Sequence, residues 1–224
     1  MRIARLPVVK ICCISSVDEA RTAIAAGASA LGLVSAMPSG PGVIPELRIA
    51  EIVMAVPPPI ATFLLTSRQD AIGIAQQHRR CGTSTIQLVD RVQHDELQRL
   101  RRMLPGVKLV QVIHVTNEHS LDEACAVAPF VDALLLDSGN QALPVKELGG
   151  TGRTHDWRLS RRIRAACTVP VFLAGGLNCA NVAEAIYSVA PFGIDLCTGV
   201  RTQGRLDPVK LQQFFDALRS GATS

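Results

Sequence analysis

Short, mostly apolar runs alternate with longer amphipathic ones along most of this chain. The apolar runs are Val8–Cys12, Ala30–Val34, Ile60–Leu65, Thr85–Leu88, Lys108–His114, Val131–Leu136, Val169–Leu173 and Gly193–Cys197. They are mostly aliphatic and lack regular polar alternation, which is the pattern of parallel strands buried on both faces. Helix-start signals stand between them. Ser16-Val17-Asp18-Glu19 opens Ala20–Ala26, Pro45-Glu46 opens Leu47–Val56, and Ser67 precedes Gln69–Cys81. Gln93 to Met103 is charged and amphipathic, and Ser120-Leu121-Asp122-Glu123 has the form of a capping box. Asp156 is placed to cap Trp157–Ala166, and Asn178 to cap Ala180–Val189. Asp207-Pro208 opens a last helix with proline in its first turn, and the tail Ser220–Ser224 is expected to fray.

This order makes eight strand–helix units with short connections, the pattern of one (β/α)8 TIM barrel domain over residues 1–224. A doubly wound open sheet is the alternative. It would usually show fewer units at this length, and often a glycine-rich nucleotide fingerprint after the first strand. Cys12-Cys13-Ile14-Ser15 stands there instead. Aromatic residues make up only 4% of the chain, so aliphatic side chains must fill the core.

Charge and cysteine content narrow the function. The net charge is +4 with Lys and Arg scattered, which suits a small anionic substrate. No basic stripe interleaved with aromatics argues for nucleic acid, and no apolar run approaches membrane-spanning length. Seven cysteines without a CxxC pair, and no signal-peptide pattern, fit free thiols in a reducing cytoplasm.

In a barrel of this kind, chemistry gathers at the C-terminal ends of the strands. Asp137 ends the run Ala133-Leu134-Leu135-Leu136-Asp137, where a carboxyl group can serve as a general acid. Cys12 ends the first run, where a thiol can be a general base or simply a small buried hydrophobe. Three late turns carry glycine: Gly149-Gly150-Thr151-Gly152, Ala174-Gly175-Gly176-Leu177 and Thr198-Gly199-Val200. Backbone N–H groups freed there, together with helix N-termini, make a phosphate site. His114 reads either as a mouth residue or as a structural histidine; His78, His94 and His119 read as solvated. No metal-ligand spacing, nucleophile elbow or P-loop is present, so no metal site is expected.

The motifs resemble those of the phosphoribosylanthranilate isomerases of tryptophan biosynthesis. The family's K-I-C-G-x-T stands as Lys10-Ile11-Cys12-Cys13-Ile14-Ser15, and its L-L-D-S as Leu135 to Ser138. Its G-G-T-G-[KR]-T-x-D-W runs from Gly149 to Trp157, and its L-A-G-G-L-N-x-x-N-V from Leu173 to Val182. Its G-[VI]-D-x-x-S-G-V runs from Gly193 to Val200. The resemblance implies a cofactor-free Amadori rearrangement with Asp137 as acid and Cys12 as base. It also implies Lys10 beneath Cys12, with phosphate held by Gly150, Gly152, Gly175, Gly176, Thr198 and Gly199. The expected protein is a monomer or homodimer acting on a small phosphorylated molecule.

The early loops depart from the family pattern. Ser39-Gly40-Pro41 replaces S-P-R, so Pro41 stands where an arginine would meet the anthranilate carboxylate. Val89 replaces a histidine, Cys13 a glycine, Ser15 a threonine, and Arg201 a glutamate. Loss of a charge-assisted bidentate contact costs roughly 2–3 kcal/mol of binding unless it is replaced. Arg201 or Arg48 is expected to supply the missing cation; otherwise the amine part of the substrate is not anthranilate. A non-catalytic phosphosugar-binding barrel is the reading from a different class. The Pro- and Gly-rich stretch Ser35–Val43 is compatible with a fixed turn or a lid.

Overall fold

Eight parallel strands close into a barrel in chain order, each neighbour paired with the next and the first with the eighth. The computed structural model describes residues 6–139, 146, 148–150 and 152–221. The strands are β1 (Val8–Ile11), β2 (Ala30–Val34), β3 (Ala61–Thr66), β4 (Thr85–Leu88), β5 (Lys108–His114), β6 (Ala133–Asp137), β7 (Val171–Leu173) and β8 (Gly193–Leu196). The surrounding helices are α1 (Val17–Ala26), α2 (Glu46–Ala55), α3 (Ala71–Cys81), α4 (His94–Met103), α5 (His119–Val127), α6 (Trp157–Ala166), α7 (Val182–Val189) and α8 (Pro208–Gly221). The expected (β/α)8 barrel is therefore present. After β8 the chain makes a small hairpin, β9 (Arg201–Thr202) with β10 (Arg205–Leu206).

Strand parity sorts the core into two clusters. Outward residues such as Ile11, Leu31, Leu33, Leu64, Ile86, Ile113, Leu134, Leu136, Ile194 and Leu196 pack in the cluster shared with the helices. Inward residues such as Ala30, Val34, Phe63, Leu65, Val110, Val112, Ala133, Leu135 and Phe172 fill the barrel. Asp137 is in phase with Ala133 and Leu135, and Cys12 belongs to the inner cluster. Lys10 and Asp195 stand opposite each other in the β1–β8 register. The same alternation that fills the interior thus delivers the polar groups to its C-terminal end.

Several local expectations are corrected. α3 begins at Ala71, capped by Asp70, whose carboxylate accepts from Gly73 N at 2.6 Å; Ser67 does not start it. Ser120 lies inside α5, and its hydroxyl donates to the His114 carbonyl and accepts from Thr116 N, so it is no capping box. Asn178 accepts from Ala180 N, but that turn only leads into α7, which starts at Val182. His78 is buried and bonded to the Thr83 carbonyl rather than solvated. Ser220 continues α8, while residues 222–224 lie outside the described ones. Ser16, Asp156 and Asp207 cap as expected. Among the described residues no helix is long and apolar enough to cross a membrane.

Candidate active site

One pocket at the C-terminal end of the barrel is lined by both Cys12 and Asp137, together with Asp195 and the late glycine turns. Cys12 follows β1 and is 6% exposed. Its amide donates to the Leu196 carbonyl at 2.7 Å, which anchors the residue to the end of β8. The Cys13 side chain brings the Cys12 thiol down to about 6; burial opposes this, and the Lys10 ammonium assists it. Lys10 is fully buried, with Nζ 2.8 Å from Asp195 Oδ1 and 5.4 Å from the centre of the Phe63 ring. Burial pulls the ammonium down, but the charges of Asp195 and Cys12 outweigh it and hold Lys10 firmly protonated. Burial pushes Asp195 up to about 8 against the pull of Lys10. One cation therefore serves two acids, Asp195 through a direct contact and the Cys12 thiol through its charge.

Space for this cluster comes from Gly32 in β2. A Cβ at that position would lie 2.8 Å from Cys12 Sγ and 2.9 Å from Lys10 Nζ. No larger residue could stand there without displacing one of them. A thiolate base works only after losing its proton. The rate, kcat/KM, is therefore expected to rise with pH through an acid limb near pH 6 and to level off above it. A pH–rate profile of the free enzyme checks this; a limb in the ordinary thiol range would overturn the electrostatic account.

Asp137 ends β6, and its backbone carbonyl accepts from Val115 N at 2.8 Å. Its Oδ1 accepts from Ser138 N at 2.7 Å. Its Oδ2 lies against Gly149, where a Cβ would come within 2.6 Å. The carboxylate is thus gripped by the turn that follows it.

Gly150, Gly152, Gly175, Gly176 and Thr198 all line the same pocket. They bring the loops after β6, β7 and β8 together, and Gly152 faces Thr198 Oγ1. Gly176 has φ +62°, and a Cβ there would lie 2.8 Å from Thr154 N, so two backbone segments touch with no side chain between them. The side-chain amides of Asn178 and Asn181 both donate to the Gly176 carbonyl and fix the turn ahead of α7. Gly199 stands beside Thr198, its Cα packed against the Leu177 carbonyl rather than in the pocket lining. Thr151 lies outside the described residues.

Arg201 is not brought to the pocket, contrary to expectation. It is 7% exposed, and its guanidinium binds Glu19 at 3.1 Å and the carbonyls of Cys12 and Cys13 at 3.1 and 2.6 Å. A half-buried glutamate at the start of α1 claims the cation, which buttresses the turn carrying Cys12. Arg48 pairs with Glu51 on α2 and is likewise not in the lining. Pro41 lines the pocket. Val89 is buried, and its carbonyl meets His114 Nε2 at 3.0 Å, so His114 plays the structural part. The next residue, Asp90, holds Lys146 at 2.6 Å. The loop 35–43 is pinned by Ser35 on the Leu65 carbonyl and by Ile44 on the Val34 carbonyl.

Sequence reasoning missed the parts played by Gly32, Asp195 and Cys197. A lone glycine inside Ala-Leu-Gly-Leu-Val, and a lone carboxylate inside Gly-Ile-Asp-Leu, were the signals available.

The profile of the family N-(5'phosphoribosyl)anthranilate (PRA) isomerase matches residues 9–217. An N-(5'-phosphoribosyl)anthranilate isomerase of Haloferax volcanii is 37% identical over 88% of this chain and 85% of its own length. That of Desulforudis audaxviator is 36% identical over 96% and 98%. The solved structure of the Pyrococcus furiosus enzyme superposes with a TM-score of 0.79 at 27% identity, covering 96% of this chain and 99% of that one. Barrel and relatives together define an isomerase of tryptophan biosynthesis. The chain belongs to the N-(5'-phosphoribosyl)anthranilate isomerase family.

Proposed function

We propose that Asp137 and Cys12 are the acid and base of the isomerisation, carried by one barrel domain in the cytoplasm. The observation that carries this reading is their convergence on one pocket, with the thiol brought down to about 6. Asp137 protonates the ribose ring oxygen, and the ring opens to an iminium. Cys12 takes the C2′ proton, and the enolamine becomes the ketone. Gly150, Gly152, Gly175, Gly176 and Thr198 hold the phosphate through backbone N–H groups and a hydroxyl. Lys10 stays beneath the pocket and stabilises the thiolate.

Asp137→Asn is expected to lower kcat/KM by roughly 10²–10⁴-fold while inorganic phosphate still binds. The fluorescence decay of freshly made phosphoribosylanthranilate measures it, and full activity in the variant would remove Asp137 from the role. One observation favours a second reading of the amine part. The described pocket lining carries three thiols and two carboxylates but no Lys, Arg or His side chain. A phosphoribosyl amine without the carboxylate therefore fits that end of the pocket. Comparing kcat/KM for phosphoribosylanthranilate and phosphoribosylaniline separates the two readings.

A further inference from the structure

Cys13 occupies an unusual place. Its φ is +63°, in the left-handed region where an L side chain costs roughly 1–2 kcal/mol. Cys13 lines the pocket beside Cys12. There it meets Cys197, the residue that follows β8, with the two sulfurs 2.8 Å apart. A formed disulfide needs about 2.0 Å, so under about 1 Å of travel separates contact from bond. The backbones are also placed for it. Ile11 pairs with Leu196 and Cys12 N bonds to the Leu196 carbonyl, so the two segments that carry these thiols leave the same β1–β8 seam together. Cys13 is 5% exposed, whereas Cys197 is only partly buried and opens to the pocket.

We propose that Cys13 and Cys197 are a modification site, a dithiol that a small disulfide such as glutathione disulfide converts into a reversible bridge across the β1–β8 seam. The Cys197 thiolate attacks one sulfur of glutathione disulfide, forming a mixed disulfide and releasing one glutathione. The Cys13 sulfur then displaces the second glutathione, which leaves with the Cys13 proton. Two protein thiols are oxidised and one glutathione disulfide is reduced to two glutathiones.

Closing the bridge has two effects at the site. It removes the Cys13 S–H that stabilises the Cys12 thiolate, the largest influence on that thiol. It also draws the Cys12–Cys13 turn toward Thr198, and pulls on the loop after β2, where Gly42 packs on Cys13 and the Pro41 carbonyl accepts from its thiol at 3.5 Å. The bridge itself needs only the two thiols; the loss of activity rests on the reading of Cys12 as base.

The test equilibrates the whole protein in mixtures of reduced and oxidised glutathione, then blocks free thiols and maps the peptides. Cys13 and Cys197 are expected to lose reactivity together and to appear in one linked peptide that excess reduced glutathione separates. Activity is expected to fall with the linked fraction, by a factor that approaches about tenfold well below pH 6 if the Cys12 thiol rises by one unit. Cys197→Ser, compared with its own untreated sample, is expected to form no link and to keep its rate in the same mixtures. A protein whose two thiols stay free, or a link or glutathione adduct on Cys12 instead, overturns the proposal. A Cys13–Cys197 link with undiminished activity would leave the bridge standing but overturn its effect on the Cys12 thiolate.

Discussion

Cys12→Ser is expected to lower kcat/KM by roughly 10²–10⁴-fold, the span that general acid–base catalysis contributes. Two neighbours bring the thiol to about 6, and neither can do as much for an alcohol, whose proton is held far more tightly. The hydroxyl would fill the space left by Gly32 with little disturbance, so folding should survive. Two measurements separate chemistry from collapse. Single-turnover decay of phosphoribosylanthranilate fluorescence should slow, while thermal unfolding and phosphate binding stay near the parent values. A serine variant turning over at the parent rate would show that the proton goes elsewhere.

Lys10→Met is expected to have the largest effect on stability. Removing one member of a buried ion pair costs about 3–5 kcal/mol, because the other is left charged without a partner. Asp195 already sits near 8, so below that pH it can take up a proton, and the cost should lie at the lower end of this range. For a chain of this size that is roughly 10 °C in Tm. The acid limb of the pH–rate profile should move upward, because Lys10 also favours the Cys12 thiolate; the Cys13 contribution remains. The double variant Lys10→Met/Asp195→Leu should recover much of the stability, since an apolar pair leaves no charge behind. Equal Tm values for parent and single variant would show that the pair carries none of the fold's stability.

The eight strands were legible because a strand buried on both faces cannot alternate. Their ends were less so. β6 starts two residues later than the apolar run, since Asp132 turns aside to accept from Leu109 N and Arg101. β7 starts after Pro170, which has no N–H to give a ladder. Asp137 and Cys12 were legible as polar residues ending apolar runs. Arg201 was misread because its partner, Glu19, lies 182 positions away. Asp195 was missed for the same reason, since Lys10 is 185 positions off and only barrel closure brings them together. Ser120 and His78 were misread for a shorter-range reason: local composition does not say which face of a helix turns inward.

The Lys10–Asp195 seam also sets an order in time. Few contacts in the fold join residues so far apart, and distant contacts form late because the intervening chain must first be gathered. During synthesis the first strand emerges with its lysine and thiol and then waits for the eighth. Until β8 arrives, Lys10 has no carboxylate partner and Cys12 no backbone anchor on Leu196. A chain that has built seven strands carries Asp137, the proposed acid, but does not yet hold Cys12, the proposed base, on the strand end that seats it. On that reading, the two groups face one another only once the ring has closed.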